Sequence, residues 1–512
     1  MCGILFAPKS VTNKDRFKSS LDLMQHRGPD APGCITEISN YYLGHNRLSI
    51  IDLNPRSNQP FISTDKRFSL IFNGEIYNYK ELAQKHQVPM RTSSDTEVLI
   101  ELYSRMGSRC LDELNGIFAF IIVENSTGQI FVARDRLGVK PLYYYQKGNE
   151  YIFSSEINAI ISLTNDTKID PIGFRQYKKL RTFFNGRTLY DNIKMFPAGS
   201  YLESNSIHKY WELNIIPQAP PEDDELRDLI QSSVNYRLVA DVPIGSYLSG
   251  GLDSTIVTAL SRTQHSWTVG TSNNNEFEFG RIAAQRYNTI HHEVLYAREE
   301  FIEAAKLMIK KRKEPLSVPN EVLLYLMTKE VKKHNTVVLS GEGADELFFG
   351  YDRIFRWAHS VKHFDIDSFD KFYSYGSYKD NEILDDALSP FSRYNNAIDI
   401  VAAFFQIAHL HGLLRRLDNS TMLCAVEARE PFVDYRLIER MAGVPFEYRM
   451  AGGNVKEPLK RVFKDQLPSE IIERKKVGFP VILEEIIPKS VPGNSGMDRW
   501  FNFNLLELGI QV

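Results

Sequence analysis

Apolar and polar positions are patterned differently in the two halves of this 512-residue chain. Over roughly the first 200 residues, short β-branched or aromatic runs recur between Gly, Asn, Asp and Pro. They fall at Tyr41–Leu43, Phe68–Phe72, Ile117–Val123, Gln129–Ala133 and Leu142–Tyr145. One intervening segment, Asp95–Met106, puts Val98, Leu99 and Leu102 on one face and predicts a helix. This is an α+β pattern with a large antiparallel component.

Residues 213–225 break the pattern. Three prolines are followed by four acids, Glu222 to Glu225. The prolines suit a linker, and the acids suit the first turn of a following helix. Beyond it, predicted strands alternate with predicted helices. Strands fall at Pro243–Leu248, Ser266–Gly270, His291–Leu295 and Thr336–Leu339, with helices at Thr255–Thr263 and Arg281–Tyr287. That alternation predicts βαβ units and a parallel sheet, an α/β unit. From about residue 350 the chain reads as mostly helical, without internal repeats or low-complexity tracts.

Composition narrows the setting without touching the chemistry. Apolar residues are 43% and charged residues 24%, ordinary globular usage. The 61 basic and 64 acidic residues leave a net charge of −3, with no electrostatic footprint for nucleic acid or an anionic membrane. The longest uncharged apolar stretch, Ile400–Leu414, is short and interrupted by Gln406, His409 and His411, so it reads as a buried helix. No secretory signal is expected at the N-terminus. Cys2, Cys34, Cys110 and Cys424 have no metal-ligand spacing and form no disulfide framework, which fits a reducing, cytoplasmic setting.

One of those cysteines opens the chemistry. Trimming of Met1 would leave Cys2 as an N-terminal residue, carrying a thiol nucleophile beside an α-amine whose ordinary pKa is near 8. The amine can then serve as the local base. Asn73-Gly74-Glu75 follows an apolar run, where an Asn amide and a Gly N–H together can form an oxyanion hole. Arg47 can hold an α-carboxylate bidentately, Asp95 can accept from an α-ammonium, and the Arg27–Asp30 turn can close over the site.

The ordered motifs MCGI, HRGPD, RLSIID, NGEIYN, SSDTE and ARDRLGVKPLYY resemble the glutaminase domain of class II, N-terminal-nucleophile amidotransferases. The resemblance implies an αββα sandwich of the Ntn-hydrolase kind over residues 1–212. It also implies thioester formation at Cys2, oxyanion stabilisation by Asn73 and Gly74, and a glutamine held by Arg47, Asn73, Glu75 and Asp95.

A second motif, Leu248-Ser249-Gly250-Gly251-Leu252-Asp253-Ser254, lies where a strand meets a helix. Paired glycines let backbone N–H groups approach an anion at a helix start. It lacks the spacing of a Walker A loop. Another cluster, Ser340-Gly341-Glu342-Gly343-Ala344-Asp345-Glu346, also follows an apolar strand. The first motif resembles the pyrophosphate loop of ATP pyrophosphatases. That likeness implies ATP contacts at Leu248, Ser249, Gly250, Gly251, Asp253, Ser254, Val269, Ser340 and Gly341. It further implies Mg²⁺ held by Asp253 and Asp345, with Glu342 and Lys456 acting at the reacting carboxylate and phosphate. Leu423–Asp434 and the RKKVGFP run at 474–480 complete the pattern.

Together the two halves resemble the glutamine-hydrolysing asparagine synthase family, over roughly residues 1–480. The implied architecture is a glutaminase domain (1–212), a linker (213–225) and a parallel-sheet, nucleotide-binding synthetase domain with a helical C-terminal part (226–512). The implied reaction adenylates an acceptor carboxylate with MgATP and displaces AMP with ammonia, which would travel through an apolar passage between the sites. The family also suggests a homodimer. Two segments depart from the aspartate-using pattern: Lys313 precedes Glu314-Pro315-Leu316 and Val318-Pro319-Asn320 follows it, and Asn419 replaces the Arg that often follows Asp418. Aspartate is the expected acceptor, with a sugar uronic acid or natural-product acid as the alternative. A non-catalytic glutamine or nucleotide sensor would have lost Cys2 or the Asp253/Asp345 pair. A β-lactam-forming synthetase would lack the N-terminal Cys.

Overall fold

The computed structural model describes residues 1–271, 275–474 and 481–512. Its N-terminal half contains two six-stranded sheets, and its C-terminal half contains one five-stranded sheet.

In the first sheet the strands lie in the order Ile193–Met195, Tyr143–Lys147, Glu150–Ser154, Gly3–Pro8, Tyr41–Arg47, Ala31–Ile38. In the second the order is Ser206–Lys209, Ser200–Glu203, Ile130–Arg134, Gly116–Glu124, Phe68–Ile76, Phe61–Ile62. All their pairings are antiparallel. Side chains from both sheets, including Ile4, Phe6, Leu43, Ile71, Ile121, Val132 and Phe153, fill one core between them. On the outer faces, Lys14–Asp22 and Ile157–Thr164 cover the first sheet, and Asp95–Met106 covers the second. This is the αββα sandwich. Because strands such as Gly116–Glu124 are covered on both faces, they read as continuous apolar runs instead of alternating ones. The helix predicted at Asp95–Met106 forms with those limits. Ser94 accepts from the Thr96 N–H at its start, and Gly107, at φ +60°, ends it.

The third sheet is wholly parallel, in the order Ile290–Leu295, His265–Gly270, Ile244–Tyr247, Val337–Leu339, Glu427–Arg429. Helix Asn320–Val331 packs on the face bearing Tyr247 and Trp267, where Tyr247 Oη lies 2.6 Å from Thr328 Oγ1. Helix Phe277–Tyr287 covers the other face. Two details differ from the sequence expectation. The helix after the glycines begins at Leu252 and not Thr255, so Asp253 and Ser254 lie in its first turn. A strand, Glu427–Arg429, appears inside a region that reads as helical. It pairs with Val337–Leu339, so tertiary contact decides its conformation.

The long apolar stretch belongs to a 26-residue helix, Ala397–Met422, with one π turn at Phe405–His409. Its length and composition would suffice to cross a bilayer. In the fold its apolar side chains are packed into protein, and its Arg415, Arg416 and Asp418 are ion-paired within the molecule.

Candidate active sites

Cys2 is buried just before the central strand of the first sheet, facing the second sheet's strand Phe68–Ile76. Its backbone N–H donates to Asn73 Oδ1 at 2.9 Å. That bond fixes the Asn73 carboxamide, and its buried Nδ2 has no partner among the described residues. Gly74 has φ +156°, and a Cβ there would sit 2.1 Å from the Ile117 carbonyl oxygen. Only glycine lets these two strands approach so closely. A cavity here is lined by Met1, Cys2, Arg47, Gly74, Glu75 and Asp95, with Ile50, Ile51, Ser94 and Thr96 among its other walls. The predicted glutaminase residues therefore converge from four separate stretches of sequence.

The charges around this cavity are unusual. Burial pushes the Cys2 thiol pKa up, opposed by the nearby chain-terminal ammonium and by Arg47. Burial also pushes Asp95 up to about 6, against N–H bonds from Ile76 and Thr96. Glu75 is raised well above the usual carboxylate range by burial, then by Asp95 and Glu427. Arg47 lines the cavity with its guanidinium already held. Nη1 donates to the Asn54 carbonyl and Asn58 Oδ1, and Nη2 donates to the carbonyls of Ile51 and Asp52. It is a fixed positive wall, shaped by its own loop.

The Arg27 turn does something other than close over the cavity. Arg27 is fully buried and donates to the Cys2 carbonyl at 3.2 Å, to Glu156 at 3.4 Å and to Asp418 at 2.9 Å. Asp418 lies on the synthetase side, 391 positions away in sequence. Lys140 lies 3.7 Å from the same carboxylate. The Met1 ammonium is buried 3.3 Å from Glu427, and Arg429 lies 3.8 Å from Glu75. Charged contacts therefore join Cys2's end of the first half to the second, beside apolar ones in which Met1, Leu48 and Ile50 share a cluster with Val337, Met422 and Ala425. Burying several charges together is tolerated because each has an opposite partner.

In the second half, the glycine loop leaves strand Ile244–Tyr247. Gly250 has φ +69°, and a Cβ there would lie 2.4 Å from the Phe279 backbone. Ser249 Oγ accepts from Gly251 N–H and lies 3.2 Å from Ser254 Oγ. Arg474, the first residue of the RKKVGFP run, donates to the Gly250 carbonyl at 2.9 Å; residues 475–480 lie outside the described residues. Leu248 and Val269 are buried at the adjacent strand ends.

The acidic cluster closes on this loop. A Cβ on Gly341 would lie 3.0 Å from both Asp253 Cβ and Ser254 N. Lys456 is buried, with Nζ 2.5 Å from Asp253 Oδ2 and 2.6 Å from Asp345 Oδ1. Burial disfavours its charge, but the two aspartates outweigh that and raise its pKa. Lys456 is therefore no ordinary surface lysine. Its ammonium marks a point where a cation meets two carboxylates, an all-oxygen donor pair that suits Mg²⁺.

Glu342 accepts from Arg416 at 3.0 Å. Glu346 is buried and pushed up to about 8 by burial and by Asp345 and Glu342. The acceptor-side segment is held by ion pairs, Glu314 to Arg415 at 3.2 Å and Glu321 to Arg312 at 2.7 Å. Asn419, where an Arg was expected, carries a buried Nδ2 without a partner among the described residues. Arg27, Lys140 and Glu346 lie in motifs visible in the sequence, but their ion-pair and burial roles do not show there; Arg416 lies in no motif, and its only signal is spatial.

One cavity thus gathers Cys2, Gly74, Glu75 and Asp95 beside Asn73, and a glycine loop in the second half faces Asp253, Asp345 and Lys456. Residues 1–211 match the glutamine amidotransferase domain family, and residues 225–491 match the asparagine synthase family. The chain is 30% identical to glutamine-hydrolyzing asparagine synthetase 3 of Bacillus subtilis, over 94% of this chain and 87% of that one. It is 29% identical to synthetase 1 of the same organism, with the same coverage. It is 28% identical to asparagine synthetase B of Escherichia coli, over 89% of this chain and 77% of the relative. The chain belongs to the glutamine-hydrolysing asparagine synthase family of carbon–nitrogen ligases.

Proposed function

We propose that this protein transfers the amide nitrogen of glutamine to an acceptor carboxylate, L-aspartate in the first instance, forming asparagine with cleavage of ATP to AMP and pyrophosphate. The work divides between a glutaminase domain (1–212) and a synthetase domain (226–512), joined by residues 213–225. The carrying observation is the pairing of Cys2 with an Asn73 carboxamide whose Nδ2 is left available.

With Met1 removed, the Cys2 amine takes the thiol proton, which the buried thiol does not give up readily by itself. The sulfur attacks the glutamine amide carbon. Asn73 Nδ2 and the Gly74 N–H receive the developing oxyanion. The amine returns its proton to the leaving nitrogen, ammonia departs, and water hydrolyses the thioester. Asp95 holds the glutamine α-ammonium, Glu75 adds a contact at the amino-acid end, and Arg47 presents positive charge to the α-carboxylate.

In the synthetase half, the N–H groups of the 249–254 loop cradle the ATP phosphates, with Ser340 and Gly341 opposite and Leu248 and Val269 against the adenine. Asp253 and Asp345 would hold Mg²⁺, which when bound neutralises phosphate charge. Lys456 adds a positive charge at the same point, stabilising the acyl-adenylate and departing AMP. Glu342 orients the acceptor or moves a proton during ammonia attack. ATP is needed because a carboxylate has no leaving group better than oxide. The reduced thiol favours the cytoplasm, and a homodimer is the assembly expected of the family.

A second acceptor class, a sugar uronic acid or natural-product acid, is favoured by Lys313 and Asn419 at the acceptor side. Screening carboxylates for ATP-dependent pyrophosphate release separates the two readings. Aspartate-dependent release with stoichiometric asparagine supports the first. Release with another acid and none with aspartate replaces it with the second.

A further inference from the structure

Three histidines meet at the opposite end of the parallel strands from the 249–254 loop. His265 begins its strand, His292 lies in the neighbouring strand beside Trp267, and His334 follows helix Asn320–Val331. His265 Nδ1 is 3.0 Å from His292 Nε2. One nitrogen from each ring falls within 4.8 Å of the other two. His265 and His292 are half-buried and His334 is exposed, so the cluster opens to solvent on one side. Trp267 forms an apolar backing, its ring centroid 5.0 Å from that of His292.

We propose that His265, His292 and His334 form a binding site for one divalent transition-metal ion of the zinc–nickel–copper class, with water as a further ligand. Tetrahedral zinc with bonds near 2.0–2.1 Å needs its nitrogens about 3.3 Å apart. The His265–His292 pair already meets that spacing, and the exposed His334 ring can close the remainder by side-chain rotation. The His334 ring lies with its centroid 4.9 Å from that of His265 and 4.8 Å from that of His292, so all three imidazoles share one place. The donor set is all imidazole, which suits Zn²⁺, Ni²⁺ and Cu²⁺ and not Mg²⁺. The site is separate from the Asp253–Asp345 pair and does not depend on the proposed function. A bound ion would clamp two strands to the turn before Val337–Leu339, the strand that leads to Ser340 and Gly341.

Calorimetric titration of untagged, chelator-stripped full-length protein with ZnCl₂, in excess Mg²⁺, tests this. One equivalent per chain is expected, weakened at least about ten-fold in His265→Gln and in His334→Gln. If these variants fold poorly, Cu²⁺ quenching of tryptophan emission in the parent protein, lost in Trp267→Phe, reads the same site. No saturable one-equivalent binding, or equally tight binding in both histidine variants, would overturn the assignment.

Discussion

Asn73 accepts the Cys2 N–H through Oδ1 at 2.9 Å, leaving its buried Nδ2 without a partner among the described residues. A buried donor left unsatisfied costs about 1–3 kcal/mol, so its retention points to a partner that arrives during reaction. Asn73→Ala should lower the glutaminase kcat by about 10²–10³-fold with little change in KM. Ammonia-dependent amide synthesis should persist. Steady-state assays with both nitrogen donors check this, and a change confined to KM would make Asn73 a binding residue only.

The glutaminase should lose glutamine affinity in mild acid. The Asp95 pKa is pushed up to about 6, so its carboxylate is charged above that pH and neutral below it. The α-ammonium of glutamine needs the charged form. Glutamine-dependent kcat/KM should therefore fall as pH drops through about 6. The ammonia-dependent rate, corrected for free NH₃, should not share that limb. A profile flat down to pH 5 would remove Asp95 from glutamine binding.

Lys456 stands between Asp253 and Asp345, within 2.6 Å of both. Lys456→Ala should reduce synthesis about 10²–10³-fold with either nitrogen donor. Glutamine hydrolysis should survive. Lys456→Arg should not rescue, because a planar guanidinium does not fit where a compact ammonium meets two carboxylates. Rescue by arginine would mean that charge alone is required.

Arg27 links the Cys2 backbone to Asp418 across the two halves. Arg27→Ala leaves Glu156 and Asp418 buried with less compensation and should cost about 3–5 kcal/mol of stability. Glu156, which burial would raise, is instead held at about 2 by His26 and Arg27. Its contribution is present above the unfolded carboxylate pKa and lost as pH falls through the folded one. The stability gap between parent and Arg27→Ala should therefore narrow in acid, as chemical denaturation at pH 7 and pH 3 would reveal. An equal gap at both pH values would contradict this role.

The helix Asp95–Met106 and most strands are legible because local periodicity and flanking caps agree with the tertiary environment. Glu427–Arg429 is not, since three residues with charged ends become a strand only by pairing with Val337–Leu339. The glycine run after Leu248 reads as loop up to Thr255, yet its last residues already belong to a helix. Cys2, Asn73, Asp95, Asp253 and Asp345 are visible as residue types in motifs, and the fold brings Cys2 and Asp95 to one cavity beside Asn73 and brings Asp253 and Asp345 to Lys456. The ion pairs of Arg27, Lys140 and Arg416 connect residues from distant parts of the chain, and no local pattern encodes such pairings. Arg47 shows the limit within a motif, because a guanidinium next to a substrate cavity can be held by its own loop's carbonyls.

The central claim is that nitrogen released at Cys2 is consumed at a separate adenylating site. Cys2→Ala, assayed for amide and pyrophosphate with MgATP and the acceptor identified by the carboxylate screen, tests it most directly. With glutamine, amide formation should be abolished. With ammonium chloride, the variant should form amide at close to the parent rate, one pyrophosphate per amide. Equal loss with both nitrogen donors, or ADP and orthophosphate in place of AMP and pyrophosphate, would contradict it.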